Sequence, residues 1–340
     1  MTDTKKRGSL TYLTDKPVYI SAFSSLGGSE EKAGPLGVHF DITSDDDYFG
    51  EETWEKAETA IVRMLVSQLY QNAGSTPDAT DLFFGGDLQK QCMATSLGLL
   101  PYGVPYLGLY GACSTFAEGL ALASLSIDGG FAASAGVVVS SHFCTAEREY
   151  RTPLVYGNQR QPAAQRTVTG GGAALLTREP PDGKKTPYIS AFAVGRMCDM
   201  GIKDPSNMGA AMAPAAFETL SAFLEDTGQS PEAFDLIVTG DLGSVGHRIV
   251  SRLFEAAGIS LGDRYDDCGK MIFYASQDVH AGGSGCGCSA SVLTSTLLKR
   301  MMDGQYKKIL FAGTGALLSA TSLLQGENIP GICHAVQIEI

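Results

Sequence analysis

The apolar positions of this chain fall into short continuous runs rather than alternating with polar ones. Tyr19-Ile-Ser-Ala-Phe23, Leu82-Phe-Phe84, Val137-Val-Val139 and Ile309-Leu-Phe-Ala312 are such runs. Runs of this length predict strands covered on both faces. Between them lie Ala/Ser/Leu-rich stretches that follow Cys113 and Cys288 and are apolar nearly all round. That pattern predicts helices enclosed between layers rather than laid against solvent. Strands alternating with helices imply right-handed crossovers and a mostly parallel sheet.

The order of these elements repeats once. Tyr19–Phe23 recurs as Tyr188–Phe192, and Ala73-Gly-Ser-Thr-Pro-Asp as Thr227-Gly-Gln-Ser-Pro-Glu. Leu82-Phe-Phe-Gly-Gly-Asp-Leu88 matches Leu236-Ile-Val-Thr-Gly-Asp-Leu242. Ala112-Cys-Ser114 matches Gly287-Cys-Ser289, and the helix opened by each closes on Asp-Gly, at Asp128-Gly129 and Asp303-Gly304. A self-similar order of this kind decides an architecture. The expectation is α/β, with two pseudo-two-fold related βαβαβαββ halves forming a layered αβαβα core. The first half spans residues 1–178, with a loop insertion at about 141–169, and the second spans 186–340. The polar segment around Pro180-Pro-Asp-Gly183 is the natural seam.

Composition narrows the function classes. The chain has 340 residues, 41 of them Gly, and a formal net charge of -12. A nucleic-acid binder needs a basic patch, and no Lys/Arg run supplies one. Met1 to Lys16 has no apolar signal-peptide core, and no stretch has the length of apolar sequence that a spanning helix needs. A soluble or peripheral protein is expected. In that setting the eight cysteines read as reduced thiols rather than a disulfide framework.

Gly111-Ala-Cys-Ser114 stands where a strand, Tyr106–Tyr110, gives way to a buried helix. A helix N-terminus favours thiolate and offers N–H groups to an anion. The alternative is a small, inert, buried thiol. A nucleophilic Cys needs a base in reach, and none of the five His stands in an evident catalytic context. His142 follows the strand Val137–Val139, at the strand edge where open α/β sheets bind ligands. His247 and His280 read as structural. Cys286-Gly-Cys288 has no second pair to complete a zinc site, so it reads as small residues for close packing, and no metal site is expected. The insertion carries Arg148, Arg151, Arg160 and Arg166, whose forks suit carboxylates.

With these motifs in place, the chain resembles the thiolase superfamily. Gly111-Ala-Cys-Ser-Thr115 is similar to the nucleophile turn of the third class of ketoacyl synthases, and Asp235–Asp241 to the strand that ends in their catalytic His. Gly285-Cys-Gly-Cys-Ser-Ala-Ser291 is similar to their Gly-Asn-Thr-Ser-Ala-Ala-Ser turn. On this match Gly240 stands at the His position and Cys286 at the Asn position. Gly313-Thr-Gly315 falls where true thiolases carry a second cysteine. Condensation needs those partners to polarise a thioester, so the match implies a non-catalytic protein.

Over nearly its whole length the chain resembles a narrower group, the stage V sporulation protein AD family. Gly108–Thr115, Asn207–Ala216, Gly282–Ala290 and Thr314–Ser319 carry that resemblance. It implies binding of dipicolinic acid, with calcium carried along as its chelate and no other cofactor. It also implies partners in a spore transport complex, membrane proteins among them, a place at the spore inner membrane, and roles in sporulation and germination. Homodimers are common among thiolase relatives. For the ligand, the expected contacts are Cys113, His142, Arg151, Arg166, Asp87, Asp241 and Cys286, with Asp87 and Asp241 as oxygen donors to calcium. The competing expectation is a thioester-dependent acyltransferase with Cys113 as nucleophile.

Overall fold

A computed structural model describes residues 5–150, 160–183 and 185–340. The first half runs β1 (Thr11–Gly27), α1 (Trp54–Ala73), β2 (Leu82–Gly86), α2 (Met93–Leu99), β3 (Tyr106–Gly108), α3 (Thr115–Asp128), β4 (Ser134–Ser141), α4 (Phe143–Tyr150) and β5 (Gly170–Thr177). The second runs β6 (Tyr188–Val194), α5 (Met208–Thr227), β7 (Leu236–Thr239), α6 (Gly243–Ala256), β8 (Tyr265–Asp267), α7 (Cys286–Val292), β9 (Lys308–Ala316) and β10 (Gly331–Glu339). Helix α7 continues to Met302 through one wide turn, Leu293–Leu297.

Strand order is β3-β2-β4-β5-β1 in the first half and β8-β7-β9-β10-β6 in the second. The two orders are the same, so the sequence repeat is a repeat of topology. In each half the last strand turns back and slots in antiparallel between two strands of the opposite direction. Among these ten strands parallel pairing joins β2 to β3 and β4, and β7 to β8 and β9, less than the expected mostly parallel sheet. An antiparallel neighbour needs no crossover helix. Strands β1 and β6 pair antiparallel and join the halves.

Alternate residues of one strand serve different cores. Val137 and Val139 face a central core with Phe116, Leu120, Leu293, Ile309 and Phe311. Val138 faces an outer core with Ile61, Leu65 and Leu69 of α1. Ile237 and Leu310 face the other outer core, with Phe223 of α5 and Phe254 of α6. Three separate cores require five layers, helix, sheet, helix, sheet, helix, with α3 and the α7 helix in the middle. That is why these two helices are apolar all round. Gly172 shows how close they lie to the strands. A Cβ there would sit 2.7 Å from the Ala290 carbonyl of α7.

Local signals are kept in both copies. Thr53 accepts from the Lys56 N–H to cap α1, and Asn207 caps α5 through Ala210. Each helix ends on a left-handed glycine, Gly74 at φ 59° and Gly228 at φ 65°. Two expectations are corrected. The strand expected over Tyr106–Tyr110 stops at Gly108, and the insertion is no bare loop. It opens with α4 and ends in Arg166–Thr167, which pairs in parallel with Gly283–Ser284. Only Thr145 and Ala146 of α4 are buried, so its sequence lacks a long apolar stripe. Arg151 lies outside the described residues.

Phe116 is fully buried, and its ring meets Phe311 edge-on at 6.5 Å across the middle layer. Phe116→Ala is expected to cost about 3–5 kcal/mol, read as a lower urea midpoint. Phe131→Ala, at an 82% exposed position, should stay within about 0.5 kcal/mol. Equal effects would contradict a core between the two sheets.

Candidate functional site

The middle helices α3 and α7 start near one another, and the chain entering each is unusual. Ala112 has φ 52°, a left-handed conformation that costs a non-glycine residue energy. It leads into a tight turn, Ala112–Ser114, that presents Cys113 before α3 begins. Gly285, at φ 102°, opens α7. The Cys286 thiol donates to the Ala112 carbonyl at 3.0 Å, tying the two helix starts together.

Asp241 is the centre of the polar network. It follows Gly240 at the end of β7 and is fully buried. Thr314 Oγ1 donates to its Oδ1 at 2.8 Å, and Ser284 Oγ donates to its Oδ2 at 2.9 Å. The Gly285 N–H also donates to Oδ2, at 3.1 Å. The Ser284 hydroxyl lies 3.9 Å from Cys113 Sγ. Gln165 donates through Nε2 to the carbonyls of Asp241 and Gly283, at 2.7 Å each. The amide thus fastens the strand that carries Ser284 to the end of β7. Gly240 leaves room for this, because a Cβ there would sit 3.0 Å from the Thr314 nitrogen.

Charge states follow from burial. The Cys113 thiol is pushed well above its ordinary range, first by desolvation and then by the Asp241 carboxylate facing it. The helix N-terminus expected to favour thiolate is outweighed. Asp241 is itself raised by burial, although its hydrogen bonds oppose that. Cys286 is likewise driven up, by burial and then by Asp87. Cys113 therefore stands beside a carboxyl and a hydroxyl, and among the described residues no histidine hydrogen-bonds to it.

The other expected residues fall around this centre. Asp87 is the first-half counterpart of Asp241 and is also fully buried. Its oxygens are taken by the N–H of Gln89 and by the N–H and hydroxyl of Thr95. The two aspartates thus flank the Cys113 and Cys286 pair. His142 is saturated, since Nδ1 accepts from the Cys144 N–H at 3.1 Å and Nε2 donates to the Asp47 carbonyl at 2.7 Å. Burial pushes its pKa down, so it is a neutral strut. Arg166 stacks its guanidinium 4.1 Å from the Phe143 ring centre. Its Nε is buried and has no hydrogen-bond partner among the described residues. The Cys288 thiol points to the Gly240 carbonyl, away from Cys286. His247 stacks on Tyr265 at 4.4 Å, a structural role.

Sequence reasoning missed Ser284, Thr314 and Gln165. Ser284 and Thr314 lie inside Gly-rich motifs that it did single out, Gly282–Gly285 and Gly313–Gly315. Gln165 carries no signal, because its role comes from two backbone carbonyls distant in sequence.

Comparison with known proteins gives both a family and a fold. The sequence model of stage V sporulation protein AD matches residues 8–339. Stage V sporulation protein AD of Bacillus subtilis (strain 168) is 40% identical over 335 residues, covering 98% of each chain. Among solved structures, cerulenin-bound OleA of Xanthomonas campestris is similar with a TM-score of 0.61 at 15% identity, covering 96% of this chain and 98% of that one. The 3-oxoacyl-[acyl-carrier-protein] synthase III of Aquifex aeolicus VF5 is similar with a TM-score of 0.54 at 19% identity, covering 99% of this chain and 100% of that one. At such identities the likeness is one of fold, and it is the expected thiolase-like one.

A thiol held protonated should resist alkylation. Cys113 in the native protein at pH 7.5 is expected to react with iodoacetamide at least about a hundredfold more slowly than in urea. Peptide mass spectrometry reads both rates. A native rate equal to the unfolded one would mean an accessible thiolate.

Proposed function

Because the chain belongs to the stage V sporulation protein AD family, a sporulation family, we propose that it is a non-catalytic subunit that binds dipicolinate in a pocket beside Cys113. The observation that carries this reading is Arg166. It offers a buried N–H without a partner among the described residues, beside a phenyl ring, on the ribbon that places Ser284 against Cys113. A flat aromatic dicarboxylate calls for a fixed cation and an apolar face. Cys113 then serves as a small, neutral wall of the pocket.

The buried Asp241 bears on the form of the ligand. A carboxylate next to a dianion is unfavourable unless a cation lies between them or a proton is taken up. Calcium brought in with dipicolinate supplies that charge, with Asp241 as an oxygen donor. Asp87 carries as many donors on its oxygens as Asp241 does, and is the second candidate.

The acyltransferase reading needs Cys113 as thiolate with a base beside it. Burial drives the thiol the other way, and His142 is committed to backbone partners. The proposal extends to place and partners. The chain would work in sporulation and germination with other subunits of a spore transport complex, membrane proteins among them, peripheral to the inner membrane. No helix among the described residues is long and apolar enough to cross a membrane. A homodimer would use the edge strand β3, where Leu107 is exposed, whereas the corresponding β8 has Tyr265 buried.

Titration calorimetry tests the reading. Dipicolinate is expected to bind saturably, more tightly with calcium, and at least about tenfold more weakly to Arg166→Ala, a loss of one charge-assisted pair. Absence of saturable heat with and without calcium would remove the proposal. Unchanged affinity in the variant would remove Arg166 from the site.

A further inference from the structure

The enclosed Nε of Arg166 calls for an opposite charge, since a cation drawn out of water is costly unless it is paired. Glu31 is placed to supply one. It belongs to a one-turn helix, Ser29–Lys32, between β1 and α1, and is 1% exposed. Its Oε1 accepts from the Thr169 N–H at 3.0 Å. Its Oε2 is buried and has no hydrogen-bond partner among the described residues. Arg166 lies close enough for its charge to act on this carboxyl. Two groups of opposite sign thus stand near one another, each with one enclosed polar atom left over.

The chain around Glu31 is built to bring it there. A Cβ on Gly28 would lie 3.0 Å from Glu31 Oε2 and 2.9 Å from Thr169 Cγ2, so the bare residue lets the carboxyl lie against the strand. The Gly28 N–H donates to the Thr169 carbonyl at 2.8 Å. Gly28 and Glu31 therefore hold both backbone groups of Thr169. The Thr169 hydroxyl accepts from the Phe143 N–H at 3.1 Å, and the Phe143 ring carries the guanidinium of Arg166. The one-turn helix is itself fixed from outside. The Gln277 amide donates to the Glu30 carbonyl at 2.8 Å, and the Ser29 hydroxyl to the Asp47 carboxylate at 2.8 Å. Glu31 is thus joined to Arg166 twice, by charge across the gap and through Thr169 and Phe143.

We propose that Glu31 is a positioning residue for Arg166, the counter-charge that keeps the guanidinium seated on the Phe143 ring and turned for a ligand carboxylate. It touches no ligand itself. Without that charge the long arginine side chain regains its freedom, and ordering it again opposes binding. The consequence for binding rests on the reading of Arg166 as the dipicolinate cation, whereas the seating of Arg166 does not. Charge alone would act in the other direction, because taking an anion away from the neighbourhood of a dianion strengthens its binding. The sign of the change therefore separates a positioning role from a mere nearby charge. Burial pushes the Glu31 carboxyl up to about 7, with the Thr169 N–H and then Arg166 pulling against it, so the carboxylate form prevails at pH 8.

Nuclear magnetic resonance of protein labelled at its arginine nitrogens reads the seating with no ligand present. The Nε–H signal of Arg166, identified by its loss in Arg166→Ala, should exchange with water at pH 8 at least about tenfold faster in Glu31→Gln than in the wild type. The glutamine keeps the size of the side chain and an acceptor for the Thr169 N–H. Glu31→Asp, which draws the charge back by one methylene, should fall between the two, and it carries the test if Glu31→Gln fails to fold. Wild-type exchange in either variant would overturn the positioning role. Calorimetry then reads the consequence. Calcium dipicolinate should bind Glu31→Gln at least about fivefold more weakly than the wild type, and adding Glu31→Gln to Arg166→Ala should cause no further loss. Equal or tighter binding by Glu31→Gln would also overturn the proposal. A wild type that binds no dipicolinate, yet shows the difference in exchange, would remove the functional reading and leave Glu31 as the seat of Arg166.

Discussion

A carboxyl buried in the middle of a layered protein must be surrounded by donors, and Asp241 meets that demand from three directions. Thr314 comes from β9, Ser284 from the short ribbon, and the Gly285 N–H from the start of α7. Leaving one such donor out would strand a buried acceptor, which costs about 1–3 kcal/mol. The network therefore fixes where β7, β9 and α7 end and begin relative to one another. Cys113 faces this carboxyl, so its protonation state is set by the same constraint.

The five-layer fold makes that constraint possible. Helix α3, apart from Leu125, and the first turns of the α7 helix are almost wholly enclosed, and their starts meet inside the molecule. A thiol there is removed from water on every side, and desolvation dominates any pull from the helix dipole. The thiol is held neutral here, with the Asp241 carboxyl facing it and no histidine hydrogen-bonded to it among the described residues. The pseudo-symmetry then doubles the motif. Asp87 and Asp241 both follow Gly at strand ends, and each gathers its own donors on one side of the cysteine pair.

Much of this was legible in the sequence. The repeat of Gly-Asp-Leu after two apolar runs located both buried aspartates, and the all-round apolar character of 115–127 located a middle helix. The repeated Gly after α1 and α5 marked both helix ends. What stayed hidden depends on contacts distant along the chain. Gln165 matters because Asp241 and Gly283 come together beside it. His142 looked like a ligand residue, but a loop carbonyl at Asp47 and a local N–H claim both its nitrogens. Glu31 reads as one more acid in a polar turn, since nothing local shows that Thr169 and Arg166 come to it. Helix α4 was missed because it buries too little to leave an apolar stripe.

The central claim is that this thiolase-like site holds a ligand without reacting with it. The most direct measurement is intact-mass spectrometry of the native protein after incubation with excess long-chain acyl-CoA. The account predicts an unmodified mass in both the wild type and Cys113→Ala. An acyl adduct on the wild type that is absent from Cys113→Ala would contradict it and make Cys113 a working nucleophile.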